Sequence, residues 1–362
     1  MAFTEILPGI HYVGVNDRTT TRFESLWSLP YGVSYNSYLV IDEKVALIDT
    51  VEVSFGEQFI DNIRAILKDR PIDYLVVDHM EPDHSSSIKT LRLLYPEMQI
   101  VGNAKTLQML DGYYGIHTLT REVKEGESIS LGQKNLSFYM APMVHWPEVM
   151  VTYCPEHKVL FSADAFGTFG ALNGGILDSQ LSLDHFWDEM RRYYACIVGK
   201  YGAPVQKALQ KLSGLPIETI CSTHGPVWRR EIARVVELYD KVSRYEGEPG
   251  AVIAYGSMYG NTEQMAETVA RGLAAAGVRP IVVYNLSTAD VSQVLRDIFR
   301  YDTLVVGSPT YNGQLYPPVD ALLRKIAERC IPHRRFACFG SFTWAGAAVR
   351  RMTEFAEGMK WP

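Results

Sequence analysis

The chain has 362 residues, more than one hydrophobic core ordinarily organises, so two domains are expected. With 47% hydrophobic and 21% charged residues it has the composition of a soluble globular protein, and its formal net charge of −6 argues against a nucleic-acid or anionic-membrane partner. No apolar run is long enough to span a bilayer, and the start MAFTEILPGIHYVG lacks the basic end and apolar stretch of a signal peptide, so a cytoplasmic location is expected.

In chain order, residues 36–42 and 45–49 read as a β-hairpin around Glu43-Lys44. Residues 55–68 space their apolar side chains helically, and Pro71 ends that element. Residues 74–77 form a buried strand, 88–95 a helix, and Gln99–Gly102 a further strand. Apolar runs at 136–140, 150–153, 159–162 and 219–222 continue the pattern. Residues 183–212 are the long helical stretch, interrupted near Gly202-Ala203-Pro204. At 244–250 the pattern stops in a short Gly- and Pro-containing polar segment with the composition of a linker. The expected domains are therefore 1–248 and 249–362. Beyond the linker come strand 251–255, helix 263–276, strand 281–284, helix Val291–Arg300, strand 303–306, helix 318–328 and strand 336–339. Such alternation predicts a parallel sheet covered on both faces. The cysteines Cys154, Cys196, Cys221, Cys330 and Cys338 form no CxxC pair, so free and mostly buried thiols are expected.

The densest chemical signal is His79-Met80-Glu81-Pro82-Asp83-His84, immediately after the strand at 74–77. Three further ligand candidates occupy similar positions. His145 follows the run 136–140 and the turn Ala141-Pro142, Asp164 follows 159–162, and His224 follows 219–222. Loops leaving the carboxyl ends of neighbouring strands converge, so these seven residues are expected in one place. Four imidazoles and three carboxylates suffice for two metals if one carboxylate bridges, and Asp164, alone on a late strand, is the natural bridge. Zinc favours nitrogen and sulfur ligands, whereas a pocket richer in carboxylate suits iron or manganese. Asp49, Glu148 and Asp178 are candidates to orient ligating imidazoles, with turn capping as the alternative. His11, His117, His157, His185 and His333 are read as surface or packing residues.

The second signal lies beyond the linker. Ser257-Met258-Tyr259-Gly260-Asn261-Thr262 follows a strand and opens a helix, where backbone amides and the positive helix end can hold a phosphate. It matches neither a nucleoside-triphosphate loop nor a dinucleotide fingerprint. Ser308-Pro309-Thr310-Tyr311-Asn312-Gly313 follows the third strand of this half, and Ser341-Phe342-Thr343-Trp344-Ala345-Gly346 the fourth. All three loops leave one end of one parallel sheet. Tyr311 and Trp344 offer flat faces to a tricyclic ring, and Gly313 and Gly346 allow close backbone approach.

The HxExDH segment, with the later His, Asp and His, resembles the metallo-β-lactamase-like domain of the flavodiiron proteins. Hydrolases of that superfamily place His where this chain has Glu81. The three later loops resemble the FMN site of flavodoxins, and the resemblance covers essentially the whole chain in the family's domain order. It implies an αββα sandwich followed by a flavodoxin-like doubly wound parallel sheet, here without the last strand and helix, which would leave the fourth strand as an edge. It further implies one iron on His79, Glu81 and His145, a second on Asp83, His84 and His224, and Asp164 between them, with His84 off the metal in some members. The implied reaction is reduction of O2 to water, or of NO to N2O, with electrons delivered through FMN. Family members form head-to-tail homodimers, so a homodimer, or a tetramer built from it, is the expected assembly. Their reductants include rubredoxin and reduced coenzyme F420. Trp146 and Tyr193 are candidates for the wall of the substrate pocket. Near Ser25, where some relatives carry a histidine, there is none here, so the preference between O2 and NO is not read from that position. The rival readings are a zinc hydrolase fused to a flavodoxin, and an electron carrier with a vestigial metal site.

Overall fold

The hairpin expected around Glu43-Lys44 forms between Tyr38–Ile41 and Val45–Ile48, paired antiparallel and buried on both faces as its unbroken apolar sequence requires. The computed structural model describes residues 5–362. The first four residues of the segment read for a leader lie outside that range. The hairpin sits within a seven-stranded sheet, in the order Glu5–Leu7, Ile10–Tyr12, Tyr38–Ile41, Val45–Ile48, Tyr74–Val76, Gln99–Gly102 and Thr120–Glu122. A five-stranded sheet runs Ser128–Ser130, Asn135–Met140, Met150–Cys154, Val159–Phe161 and Thr219–Cys221.

The two sheets face one another. The Tyr38 ring lies 5.5 Å from that of Phe161, and the Tyr38 hydroxyl donates to the Ser222 carbonyl at 2.6 Å. Helix Gly56–Leu67 buries Phe59, Ile63 and Leu67, and Val205 and Leu209 of Gly202–Leu212 line a cavity together with Val151 and Leu160 of the second sheet. The result is the expected αββα sandwich.

By compactness the chain forms two units. One runs to Met190 and resumes over Ala203–Tyr239; the other comprises Arg191–Gly202 and Asp240–Pro362. In the second unit four parallel strands stand in the order Ile281–Asn285, Glu248–Tyr255, Tyr301–Tyr311, Arg335–Ser341. A short strand, Gln314–Leu315, turns back antiparallel on the end of the third. Ile253, Tyr255, Ala266 and Val305 form a core beneath helix Asn261–Ala275. No fifth parallel strand occurs among the described residues. The edge strand is nevertheless partly covered: the Phe336 amide donates to the Pro362 carbonyl at 3.0 Å, and the buried Trp361 ring packs on Phe336 and Phe355.

The long helical stretch at 183–212 is resolved into Asp184–Tyr193, a π-helical turn over Tyr194–Val198, and Gly202–Leu212. The break falls at Gly199, where an added Cβ would stand 2.7 Å from the Phe299 ring and 2.8 Å from the Ala195 carbonyl oxygen. Arg329 donates to the carbonyls of Ala195 and Cys196 at 2.6 and 3.0 Å, anchoring the widened turn. No helix among the described residues is long and apolar enough to cross a membrane.

Candidate metal centre and flavin site

Strand Tyr74–Val76 leads into Asp78 and His79, whose backbone amides both donate to the buried Asp49 carboxylate, at 2.8 and 3.3 Å. That contact turns the chain towards the facing sheet. Pro82 then starts a single helical turn, Pro82–Ser85, at the position where a missing N–H costs nothing. This turn carries Asp83 and His84. From the facing sheet, the ends of Asn135–Met140, Val159–Phe161 and Thr219–Cys221 supply His145, Asp164 and His224.

The seven side chains meet as two groups around one carboxylate. Asp164 Oδ2 lies 3.4 Å from His79 Nε2 and 3.0 Å from His145 Nε2. Its other oxygen, Oδ1, lies 3.1 Å from His84 Nε2 and 3.6 Å from His224 Nε2. Glu81 Oε2 stands 3.3 and 3.0 Å from the His79 and His145 nitrogens, and Asp83 Oδ2 stands 3.2 Å from both His84 and His224. Both oxygens of Asp83, Nε2 of His84 and Oδ2 of Asp164 are buried atoms that make no hydrogen bond among the described residues. Leaving such groups unmatched is costly, and a cation within each group would match them. The residues present therefore fit two metal ions.

The surroundings fix which atoms face inward. His79 Nδ1 is 2.8 Å from Glu148, which also accepts the Met80 amide, so the ring presents Nε2 to the site. His224 Nδ1 is 2.7 Å from the Ser34 carbonyl and presents Nε2 in the same way. Thr223 donates to Asp164 Oδ1 at 2.6 Å. Burial alone would lower the His79 and His145 imidazoles, but the carboxylates around them prevail and raise them to about 10 and about 9. Conversely, burial would raise Asp164, Asp83 and Glu81, and the adjacent imidazoles hold all three below the usual range. The site is thus a concentrated anionic pocket that binds protons tightly when no metal competes. Asp178, by contrast, accepts the amides of Arg229, Arg230 and Glu231 and caps the turn before helix Ile232–Ser243.

In the second unit the three loops enclose a cleft of ≈ 370 Å³, within the range of about 300–1,000 Å³ usual for small-molecule sites. Its walls are Ser257, Met258, Tyr259, Asn261 and Thr262 from the first loop, Pro309 to Gly313 from the second and Ser341 to Ala345 from the third. Of the residues singled out in the sequence, Gly260 and Gly346 do not line it. Gly260, at φ +89°, precedes helix Asn261–Ala275 and provides no side-chain cap; Ser257 Oγ accepts the Glu263 amide at 3.4 Å, and the amides of Asn261 and Thr262 lie at the helix start where a phosphate would bind. An added Cβ at Gly346 would stand 3.0 Å from the Phe342 ring. The Thr310 hydroxyl accepts the amides of Ala347 and Ala348 at 3.0 and 3.2 Å, tying the second loop to the third. Tyr259 and Trp344 are 90% exposed and Phe342 66%, an unusual display of aromatic surface around one cleft. Hydroxyls, free amides and aromatic faces without a basic side chain fit FMN.

Residues 33–225 match the model of the ODP family β-lactamases, and residues 253–360 match that of flavodoxin. A nitric oxide reductase of Moorella thermoacetica is 34% identical, over 98% of this chain and 90% of the relative. The chain belongs to the flavodiiron proteins. Among solved members, the rubredoxin oxygen:oxidoreductase of Desulfovibrio gigas superposes with a TM-score of 0.95 at 30% identity, over 99% of this chain and 90% of the other. The flavodiiron protein of Giardia intestinalis gives a TM-score of 0.95 at 29% identity, over 100% and 89%.

Two residues were offered as walls of this flavodiiron protein's substrate pocket. The Trp146 ring stands edge-on to His79, with centroids 5.3 Å apart, and 6.0 Å from His145. Tyr193 is fully buried in the second unit. Sequence reasoning missed Glu24. It lies between the short strands Arg22–Phe23 and Trp27–Ser28, whose Phe23 ring is 5.4 Å from that of His224. Glu24 accepts Trp27 Nε1 at 3.0 Å, and its carboxyl group feels the charge of Glu81. Burial and the charge of Glu81 push it up to about 7. Its backbone stands at φ +50°, followed by +56° at Ser25, and nothing in the local sequence signals that turn.

Proposed function

We propose that this flavodiiron protein reduces O2 to water and NO to N2O at two irons, with electrons delivered through FMN. We assign His79, Glu81 and His145 to one iron and Asp83, His84 and His224 to the other, with Asp164 between them. The observation that carries the reading is the division of the Asp164 carboxylate, one oxygen towards each group of ligands. When bound, a pair of redox-active irons supplies electrons to a diatomic molecule, and FMN passes electrons on singly. The chain's own residues do the rest. Glu148 and Ser34 hold two imidazoles in the ligating tautomer, Asp49 fixes the loop that bears four ligands, and Trp146 walls the site. The loops at 257–262, 309–313 and 341–346 would hold FMN, with the phosphate at the start of helix Asn261–Ala275 and the ring against Tyr311 or Trp344.

The electron donor is a separate carrier, rubredoxin or reduced coenzyme F420, and the likeness to the rubredoxin oxygen:oxidoreductase of Desulfovibrio gigas favours the former. A head-to-tail homodimer, or a tetramer built from it, would cover the exposed aromatic rim of the flavin cleft. Free cysteines throughout support a reducing, cytoplasmic setting. The test is anaerobic purification with metal and flavin analysis, followed by O2 and NO consumption with a reduced donor. Two irons and one FMN per chain with turnover are expected. Zinc without gas consumption would overturn the reading, and an active monomer in solution scattering would overturn the dimer.

A further inference from the structure

The first unit contains an apolar cavity lined in part by sequence neighbours of the candidate metal ligands. Its volume, measured for the centre of a water-sized sphere, is ≈ 20 Å³, enough for one small molecule, since a single water needs about 10–15 Å³ on that measure. Three of its walls adjoin the residues that build the site: Val144 precedes His145, Val149 follows Glu148, and Ala165 follows Asp164. The opposite wall is the face of helix Gly202–Leu212 that carries Val205, Ala208 and Leu209. Two hydroxyl-bearing residues, Ser162 and Tyr239, adjoin the cavity, but no polar atom is exposed on its surface. The Ser162 hydroxyl donates to the Ala165 carbonyl at 2.7 Å instead. A water there would find no partners, so the cavity excludes water. An empty void also forfeits dispersion contacts on every side, which favours occupation by something apolar.

We propose that this cavity is a docking site for an uncharged diatomic gas and that it feeds the metal centre. Neutral diatomics such as O2 and NO are small and weakly hydrated, so a dry apolar void concentrates them where water cannot compete. The feeding role rests on the gas-reductase reading; the docking site does not.

Xenon is the probe, because it fills dry apolar cavities of this kind and reports position without turnover. Crystals of the full chain pressurised with xenon are expected to show an atom bounded by Val144, Ala165 and Ala208. Ala208→Phe should remove it and raise KM for the gas several-fold at unchanged kcat, the pattern of lost binding without lost chemistry. Ala208→Leu, a smaller filler, serves if the larger ring prevents folding, and unchanged iron and FMN content certifies either variant. Absence of xenon, or ordered water in its place, overturns the docking site. Xenon loss with KM unmoved overturns the feeding role. Xenon binding in a protein that consumes neither gas keeps the site and overturns the reductase reading instead.

Discussion

The chemistry depends on single side chains held by others outside the ligand set. Glu148 is buried and pairs with His79 Nδ1 at 2.8 Å. Glu148→Ala would leave that nitrogen buried without its acceptor and release the ring from the ligating tautomer. Iron retention against a competing chelator is expected to weaken by roughly 10–100-fold, as for comparable supporting carboxylates, and Glu148→Gln should recover part of it. Glu24 gives a different signature. Its folded value is raised from 4.5 to about 7, first by burial and then by Glu81, so the native state prefers the protonated form. The stability this confers is present at low pH and is lost as pH rises through that interval. Metal-free Glu24→Gln should therefore melt above the metal-free parent at pH 8 and level with it at pH 5. Part of the Glu24 side chain is open to water, which limits the gain to about 1 kcal/mol. Equal melting at both values would mean that the Glu24–Glu81 interaction carries no energy. The seven ligand candidates were legible in the sequence because dense His and carboxylate after apolar runs is a local pattern. Their supports were not: Ser34 and His224 are 190 positions apart, and no local rule links them.

At the level of elements, regular pattern gave reliable boundaries and irregularity hid. Helix Val291–Arg300 and strand Gln99–Gly102 stand where the apolar spacing put them. Helix Ala104–Tyr114 went unread although its punctuation is plain: Asn103 accepts the amides of Lys105 and Thr106, and Gly115 ends the helix at φ +68°. The N-terminal strands, most of them three residues or fewer, are too short to show a period. The π-helical turn at Tyr194–Val198 follows from tertiary contact rather than propensity, since Gly199 must pass the Phe299 ring and Arg329 must reach two carbonyls. Gly199→Ala tests this. Helix propensity alone predicts a gain for alanine, whereas the contact at 2.7 Å predicts a loss of about 1–3 kcal/mol, read as a lower urea midpoint. A gain would show that Phe299 yields freely and that the break has another cause.

At the scale of the whole molecule, the order of the two halves was legible because each carries its own kind of period, strand-rich before the linker segment and strictly alternating after it. The exact division was not, because Arg191–Gly202 leaves the run of the first unit and joins the second through packing that no composition shift announces. Each candidate site is assembled wholly within one unit: the seven candidate ligands fall in the first, and the three loops fall in the second. Loss of one cofactor should therefore leave the other in place. Asp164 serves both groups of ligands, so Asp164→Ala is expected to lose both irons rather than one, while FMN content and reduction of the flavin by the donor persist. Deflavinated protein should retain its iron and fail to consume gas with the donor. Iron and flavin analysis with stopped-flow reduction would check both arms. An Asp164→Ala protein that keeps one iron would show that the two ligand groups do not depend on a shared carboxylate. Deflavinated protein that still turns over with the donor would show that electrons reach the metals by a route independent of the flavin cleft.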